Sequence, residues 1–352
     1  MKSQFEGWSV IPAILLGVML VCNGLSAPSQ KTLRIFFVDV EGGAATLIVT
    51  PLGESVLVDS GWPGERDARR IEAVAKEVAG LDQIDHYITT HWHRDHFGGI
   101  SELVKLMPVK RFYGHGIPNQ LPRDIPADLI EAYRRVGGNY EIILKPGDQI
   151  ALRSAPKGPK LRLRILAANG TVIGERAGAE QIRGCTREHS PMPIDQSDNA
   201  NSIGFVLEFG RFRFFDGGDL TWNVEHKLVC PVNLPGKVSV FQVNHHGLDN
   251  SNNPVLVGAL SPQVAVINNG AKKGGQTRTF TTLKEAPSIE AIFQLHRNVQ
   301  TGPEENASPE LIANESETCE GRFIKVTVES DGRSYTVSNP ARGVSRSFKI
   351  RN

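Results

Sequence analysis

Three short apolar runs open the folded part of the chain. They read LRIFFVDV from Leu33, ATLIVT after the turn at residues 41–43, and SVLVDSG after the turn at residues 51–53. Runs of this length that are bounded by Gly and Pro are typical of β-strands. Because tight turns connect neighbouring antiparallel strands, the pattern predicts the antiparallel start of a sheet.

The apolar spacing then changes from that of a strand to that of a helix. Residues 65–80 place apolar side chains at helical spacing and end on Gly80, as helices often do. The segment DHYITT at residues 85–90 predicts a further strand, which leads directly into the sequence HWHRDHFGG. Strand and helix therefore alternate in this part of the chain, which favours an α/β fold.

The second half of the chain returns to strand patterns. The runs SIGFVLEFG and RFRFFDGGD flank a turn at Gly210, and VSVFQVNHHG, VAVINNG and IEAIFQLH follow. Residues 322–338 alternate around an Asp-Gly pair, which predicts a C-terminal β-hairpin. Residues 171–198 lack periodicity and are rich in Gly, Pro and polar side chains, so we expect an irregular insertion there.

Composition limits the class of protein. The chain has 352 residues, 40% of them hydrophobic, and a net charge of +1. These values exclude disordered, collagen-like, coiled-coil and multi-span membrane proteins. The near-neutral charge, without a stripe of Lys and Arg, does not support an extended nucleic-acid groove. No feature of the sequence indicates a particular oligomeric state.

Residues 1–27 predict a secretory signal peptide. Lys2 precedes an apolar stretch from Ile11 to Cys22, and small residues follow through Ala27. The stretch is shorter than the roughly 20 apolar residues of a membrane span. We therefore expect cleavage near Ala27, a secreted or periplasmic protein, and no stable membrane span after cleavage. A lipid-modified Cys22 and an uncleaved anchor are the alternatives. The scattered cysteines that remain indicate one disulfide and one buried thiol rather than a zinc site; they are Cys185, Cys230 and Cys319.

Chemistry is concentrated in the loop after the strand at 85–90, which reads His-Trp-His-Arg-Asp-His. Imidazole nitrogen and carboxylate oxygen are ligands that zinc and similar metals prefer, and each buried group needs a partner in any case. His91 and His93 can face one ion, and Asp95 and His96 can face another. The spacing therefore predicts a site for two metals. A structural zinc site is disfavoured because such sites mostly use cysteine.

This loop resembles the His-x-His-x-Asp-His signature of the metallo-β-lactamase-fold hydrolases, and the resemblance extends from Leu33 to Glu329. Residues 198–247 are most similar to the hydrolase domain of competence-type DNA-uptake proteins and their stand-alone secreted relatives. The resemblance implies an αββα sandwich, in which two mixed β-sheets pack face to face with helices outside. It also implies that residues 32–350 form a single domain of this kind.

The resemblance assigns further residues to the site. Asp59 in VLVDSG is expected to orient the metal loop, and Asp219 in DGGDL to bridge the two metals. Asp198, four residues before Ser202, stands where many members of the family have a histidine. It is the candidate third ligand of the first metal, with Ser202 supporting the site from behind. The alternatives to Asp198 are Asn199, Asn201 and His189.

The family's last histidine corresponds to one of the pair in VNHHG. We favour His245 as the ligand, because it comes first after the strand. His246 is left the accessory role of donating a proton to the leaving group or contacting the substrate. With Asp95 and Asp219, it completes the set of candidate catalytic residues.

The implied chemistry is hydrolysis with two divalent ions, Zn²⁺ foremost and Mn²⁺ as the alternative. Two ions roughly 3.5–4 Å apart can hold a bridging hydroxide at neutral pH. The favoured substrate is a phosphoester or phosphodiester, and a small phosphorylated molecule fits as well as DNA. A lactam, a lactone or another carboxylic derivative is the alternative substrate. A metal-binding sensor or binding module without turnover is the alternative of another class.

Three other positions have a functional and a structural interpretation. His115 and His296 stand at strand ends, where a histidine can face a pocket but more often has a structural role. The stretch Lys272-Lys273-Gly274-Gly275 can contact an anionic substrate or form a solvated loop.

Overall fold

The computed structural model describes Met1, residues 32–174 and residues 190–351. The rest of the predicted signal peptide, His189 and the middle of the predicted insertion lie outside the described residues. The chain from Lys31 to Asn352 forms one compact unit. In the part of the chain that the structure describes, no helix is long and apolar enough to cross a membrane.

The strands and helices follow each other closely along the chain. In chain order the strands are β1 (Leu33–Phe37), β2 (Thr46–Val49), β3 (Ser55–Val58), β4 (His86–Ile88), β5 (Phe112–Gly114), β6 (Ile142–Ile143), β7 (Gln149–Ile150), β8 (Leu161–Ala168), β9 (Thr171–Val172), β10 (Gly204–Phe209), β11 (Phe212–Asp216), β12 (Val240–Gln242), β13 (Val264–Ile267), β14 (Ala291–His296), β15 (Ile312–Asn314), β16 (Ile324–Val328), β17 (Ser334–Asn339) and β18 (Val344–Lys349). The helices are α1 (Glu65–Ala73), α2 (Arg94–Phe97), α3 (Ile100–Leu106), α4 (Ala127–Val136), α5 (Trp222–Val229), α6 (Pro254–Leu260) and α7 (Thr277–Glu285).

Two large mixed sheets form the centre of the molecule. The first has the strand order β18-β17-β16-β1-β2-β3-β4-β5-β6, with β3 to β6 parallel. The second has the order β15-β14-β13-β12-β11-β10-β8-β7, with β9 beside β8 and β11 to β15 parallel. Helices connect most of the parallel strands, and crossovers of one hand place such helices on one face of a sheet. The opposite faces are left to pack against each other.

Alternating side chains divide β1 between two hydrophobic layers. Phe37 of β1 contacts Phe214 of β11 across the gap between the sheets, with ring centroids 5.9 Å apart. Its neighbour Phe36 belongs to a second cluster, which includes Ile71 of α1 and Leu103 of α3. The fold is therefore the αββα sandwich that the sequence predicts.

The described elements match most of the sequence-based expectations. The first three strands are antiparallel neighbours, and the predicted hairpin forms as β16 and β17. The last strand, β18, extends that hairpin and was not predicted. Cys230 is disulfide-bonded, while Cys319 has a free thiol that is only partly buried.

Phe214→Ala should lower the free energy of unfolding by about 3–5 kcal/mol, because it leaves a cavity between the two sheets. Phe214 is fully buried and also contacts Phe205, with ring centroids 6.1 Å apart. Urea unfolding followed by circular dichroism measures the loss. Phe323→Ala, at a partly buried ring, is the matched control and should cost clearly less. Equal losses would contradict a core centred between the sheets.

Candidate metal centre

The candidate site lies where parallel strands of both sheets end. In the first sheet β3 leads to Asp59, and β4 leads to His91. In the second sheet β11 leads to Asp219, and β12 leads to residues 244–247. Carboxyl ends of parallel strands lie at one edge of a sheet, which is where sites form in open α/β sheets. Residues far apart in the sequence are thereby brought together.

Four donor atoms of buried side chains converge at this edge, all within 4.8 Å of one another, and they come from Asp95, His96, Asp219 and His246. His96 Nε2 lies 3.1 Å from His246 Nε2 and 3.2 Å from Asp219 Oδ2. His246 Nε2 lies 3.3 Å from Asp95 Oδ2 and 3.4 Å from Asp219 Oδ2. We call these four residues the donor cluster.

The other ring nitrogen of each histidine in the donor cluster is hydrogen-bonded elsewhere. His96 Nδ1–H donates to Asp59 Oδ2 at 2.7 Å, and His246 Nδ1–H donates to the Asn268 carbonyl at 3.3 Å. In a neutral imidazole the opposite nitrogen then carries a lone pair. Two lone pairs and two carboxylate oxygens therefore face one another, and such a set needs a cation or a proton at its centre. The donor set fits a divalent metal ion.

The charges of the donor cluster shift its pKa values strongly. Burial acts to lower the pKa of His96, but the surrounding carboxylates, Asp219 foremost, raise it well above its usual value. Burial acts to raise the pKa of Asp219, but His246 and His96 hold it well below its usual range. The buried carboxylates therefore favour a positive charge, from a proton or a metal ion, at the centre of the cluster. Because metal ligands must be deprotonated, metal affinity increases with pH.

His91 has a ring nitrogen beside the donor cluster that could bind a metal and has no hydrogen-bond partner. Its Nδ1–H donates to Thr90 Oγ1 at 3.1 Å, while the Thr90 hydroxyl donates to Asp59 Oδ2 at 2.7 Å. The opposite nitrogen, His91 Nε2, is buried without a hydrogen-bond partner and lies 3.8 Å from Asp219 Oδ2. The His93 ring is next to it, with centroids 4.6 Å apart. A buried imidazole nitrogen without a partner fits a second metal position on this side.

Asp198 lies beside the metal loop and holds its backbone. Its Oδ2 accepts the Trp92 N–H at 2.6 Å and a hydrogen bond from His115 Nε2 at 3.2 Å. Burial acts to raise the pKa of Asp198, but His115 holds it well below the usual value. Asp198 thereby fixes the residue between His91 and His93. Its role as a metal ligand stays a prediction.

The geometry favours His246 over His245 as the ligand, which reverses the preference drawn from the sequence. Both residues have left-handed backbone, with φ of 52° and 53°. This turn directs His246 Nε2 into the donor cluster. His245 Nε2 lies 3.5 Å from Asp219 Oδ2, but it accepts a hydrogen bond from Asn199 Nδ2 at 3.3 Å. The strained turn, rather than order after the strand, sets the direction of both side chains.

Asp59 and Ser202 each hydrogen-bond to a residue of the donor cluster. Asp59 Oδ1 accepts the Thr90 N–H at 2.8 Å, and Asp59 Oδ2 orients His96. Ser202 Oγ accepts the Asp219 N–H at 3.2 Å. These contacts fix the loop that carries His96 and the loop that carries Asp219 in the orientation that brings their donor atoms together.

Some residues at the site could not be identified from the sequence. Asp124 Oδ2 is 3.0 Å from His93 Nε2 and accepts the Asp198 N–H at 2.9 Å. It stands in the irregular stretch NQLPRDIP, which has no recognisable motif. Lys273 donates to Asp95 Oδ2, and its position in the Lys-Lys-Gly-Gly stretch was the signal that pointed to it.

A second group of potential metal ligands consists of Asp39, His296 and Cys319, and hydrogen bonds within the group hold it together. His296 Nε2–H donates to Asp39 Oδ1 at 2.8 Å, and the Cys319 thiol donates to Asp39 Oδ2. Arg70 Nη1 lies 3.6 Å from Asp39 Oδ2. Because the guanidinium balances the carboxylate and both oxygens have donors, this group is a structural ion pair. His296 therefore has a structural role.

Comparison with known proteins agrees with this geometry. Residues 38–157 match the family model of the metallo-beta-lactamase superfamily, and this range contains Asp59 and the His91–His96 signature. The resemblance drawn from the sequence is thereby confirmed over residues 38–157. The αββα sandwich of two mixed sheets is consistent with the same superfamily.

Individual relatives are distant or short. The chain is 24% identical over 262 residues to Recombination protein 2 of Haemophilus influenzae, a match that covers 72% of this chain and 27% of that protein. It is 38% identical over 68 residues to Lactamase-like protein adaB of Aspergillus niger, covering 19% of this chain and 20% of that protein. The chain thus spans only about a quarter of the length of the first relative. Among solved structures, the metallo-beta-lactamase fold protein YhfI from Bacillus subtilis aligns with a TM-score of 0.44 and 13% identity, over 75% of this chain and 96% of that one.

Proposed function

We propose that this chain, which carries a metallo-β-lactamase superfamily domain over residues 38–157, is a hydrolase that depends on two divalent metal ions. The observation that carries the proposal is the donor cluster, in which two imidazole lone pairs and two carboxylate oxygens converge in a buried site. Nitrogen and oxygen donors of this kind favour Zn²⁺, with Mn²⁺ as the alternative.

The residues divide into two sets of ligands. Asp95, His96 and His246 would hold one ion, and His91 and His93 would hold the other. Asp219 would contact both ions, since its Oδ2 faces the donor nitrogens of both sets at 3.2–3.8 Å. Asp198 or its neighbour Asn199 would complete the set that contains His91 and His93.

Bound divalent ions would supply a hydroxide nucleophile at neutral pH and polarise the oxygen under attack. The protein's own contribution is to hold the donors. Asp59 keeps His96 in the tautomer with Nε2 free, and the Asn268 carbonyl does the same for His246. Burial lowers the pKa of His245 to about 4, so this imidazole is neutral at pH 7. It is thus suited to contact the substrate but not to donate a proton to the leaving group, which were the two forms of the accessory role first assigned to His246.

A phosphoester or phosphodiester is the proposed substrate class, supported by the similarity to Recombination protein 2. A secreted or periplasmic location remains a prediction from residues 1–27.

Metal analysis joined to a hydrolysis panel tests this function. We expect about two equivalents of zinc per chain, loss of turnover after chelation, and recovery when Zn²⁺ is added back. The panel contains a phosphodiester, a phosphomonoester, a β-lactam, a lactone and single-stranded DNA, and we expect the phosphodiester to be hydrolysed fastest. A chain that binds no metal would refute the proposal. Stoichiometric metal without turnover on a much wider panel would favour the binding module instead.

A further inference from the structure

One partly exposed lysine reaches the donor cluster. Lys273 Nζ donates to Asp95 Oδ2, the oxygen that lies 3.3 Å from His246 Nε2 and 3.6 Å from His96 Nε2. About a third of the Lys273 side chain is exposed. Its ammonium group therefore lies at the edge of the donor cluster, on a side chain that solvent reaches.

The fold holds this lysine in place by contacts along its length. Lys273 Nζ lies 5.1 Å from the centre of the Trp62 ring, a cation–π distance. The backbone of Trp62 is itself fixed, since the Trp62 backbone N–H donates to Asp67 Oδ2 at 2.9 Å. At Gly42, with φ of 74°, an added Cβ would come within 3.0 Å of Lys273 Cβ, so the absence of a side chain leaves room for the lysine. The Gly270 N–H closes the turn onto the Lys273 carbonyl at 2.8 Å.

The hydrogen-bonding capacity of the ammonium group is only partly used. An ammonium has three N–H donors, and among the described residues Asp95 is its one acceptor. The neighbouring Lys272 differs, because its Nζ pairs with Glu317 at 2.8 Å on the exposed surface. Two adjacent lysines of equal charge thus point to different places, and only Lys273 faces the site.

We propose that Lys273 binds an anionic phosphoryl oxygen of the substrate and makes the site selective for phosphodiesters over uncharged esters. This inference rests on the proposed hydrolase function and names the substrate class for it. Lysine acts on phosphate as a point charge, and its contact with an anionic oxygen is a charge-assisted hydrogen bond. An uncharged ester would gain little from it.

The test compares the metal-loaded full chain with Lys273→Met, Lys273→Arg and the control Lys272→Met. Calorimetric titration with inorganic phosphate gives the anion affinity, and steady-state kinetics give KM for bis(p-nitrophenyl) phosphate and p-nitrophenyl acetate. Lys273→Met should weaken phosphate binding and raise the phosphodiester KM by about tenfold, the size expected for one charge-assisted hydrogen bond. The KM for the acetate ester and the metal content should not change. Lys273→Arg should keep most of the affinity, and Lys272→Met should behave as wild type.

Three results would overturn the inference: unchanged phosphate affinity in Lys273→Met, an equal loss in Lys272→Met, or loss of metal from Lys273→Met, which would make the lysine part of the metal loop. Its failure can be told apart from failure of the proposed function. A wild-type chain without metal refutes the hydrolase, whereas a metal-loaded, active wild type with an unaltered Lys273→Met refutes only the role of Lys273.

Discussion

Asp219→Ala should remove both bound metal and hydrolytic turnover while the protein stays folded. Asp219 Oδ2 lies 3.2 Å from His96 Nε2, 3.4 Å from His246 Nε2 and 3.8 Å from His91 Nε2. No other carboxylate of the described residues faces the histidines of both proposed ligand sets. Loss of a residue behind a ligand typically weakens metal binding by about 10–100-fold, so loss of this ligand should cost more than about 100-fold. Elemental analysis after dialysis and turnover on the best substrate measure the two effects.

Two further variants serve as controls. One tests whether the charge of Asp219 or its shape matters, and the other tests whether loss of any carboxylate has the same effect. Asp219→Asn keeps the shape of the side chain but removes its charge, and we expect it to lose nearly as much metal as Asp219→Ala. Asp82→Ala removes an exposed carboxylate that is not one of the proposed ligands and should keep full metal content. We expect the fold to survive because Asp219 belongs to neither hydrophobic cluster. Thermal unfolding without metal checks this expectation. If Asp219→Ala keeps its metal and its rate, the proposed centre is wrong.

The fold could be predicted well where local pattern and packing agree. The strands β1 to β3 are short apolar runs between tight turns, and their antiparallel pairing follows from the turns alone. Short edge strands were missed because two-residue pairings such as β6 at Ile142–Ile143 carry no period. The strand β18 at Val344–Lys349 was missed because only one of its six side chains is buried and it depends on pairing with β17.

The site was predictable where its ligands are adjacent in sequence and less so where turns decide direction. The His91–His96 loop carries its chemistry within one turn of chain, so spacing alone indicates a metal site. The choice between His245 and His246 depends on left-handed backbone at both residues, which no pattern of side chains indicates. Asp124 reaches His93 only through the fold, from a stretch without periodicity.

The strained turn at His245 and His246 points to Glu225 as the residue that holds it. Glu225 is fully buried in α5, and its Oε1 accepts Asn244 Nδ2–H at 2.7 Å and the Asn252 N–H at 2.8 Å. Its Oε2 accepts the Asn253 N–H at 2.7 Å. Asn252 Oδ1 in turn accepts the Asn244 N–H at 3.0 Å, immediately before the turn. A left-handed non-glycine residue costs about 1–3 kcal/mol, so two in succession persist only where the surroundings fix them.

Glu225→Gln should therefore weaken metal binding at the donor cluster by about 10–100-fold and lower the free energy of unfolding by about 1–3 kcal/mol. The substitution keeps the volume but replaces one oxygen by an NH₂ group, which faces backbone or amide N–H donors and leaves one without an acceptor. Burial raises the pKa of Glu225 to about 7, so the comparison is made at pH 8, where the wild-type carboxylate is mostly ionised. Zn²⁺ titration calorimetry and urea unfolding of the metal-free protein measure the two effects.

The pattern of loss distinguishes a positioning role from a general loss of stability. Phe214→Ala should lose at least as much unfolding free energy as Glu225→Gln, yet it should keep Zn²⁺ affinity close to wild type at temperatures where it is folded, because it lies between the sheets rather than beneath the turn. Glu285→Gln, at an exposed position, should change neither quantity. Since Glu225 supports only the His246 side, Glu225→Gln should weaken one of the two metal sites and leave the His91 side bound. Unchanged binding at both sites would show that the turn at His246 holds its shape without this carboxylate. Equal weakening of both sites would show that the effect of Glu225 is not specific to the turn.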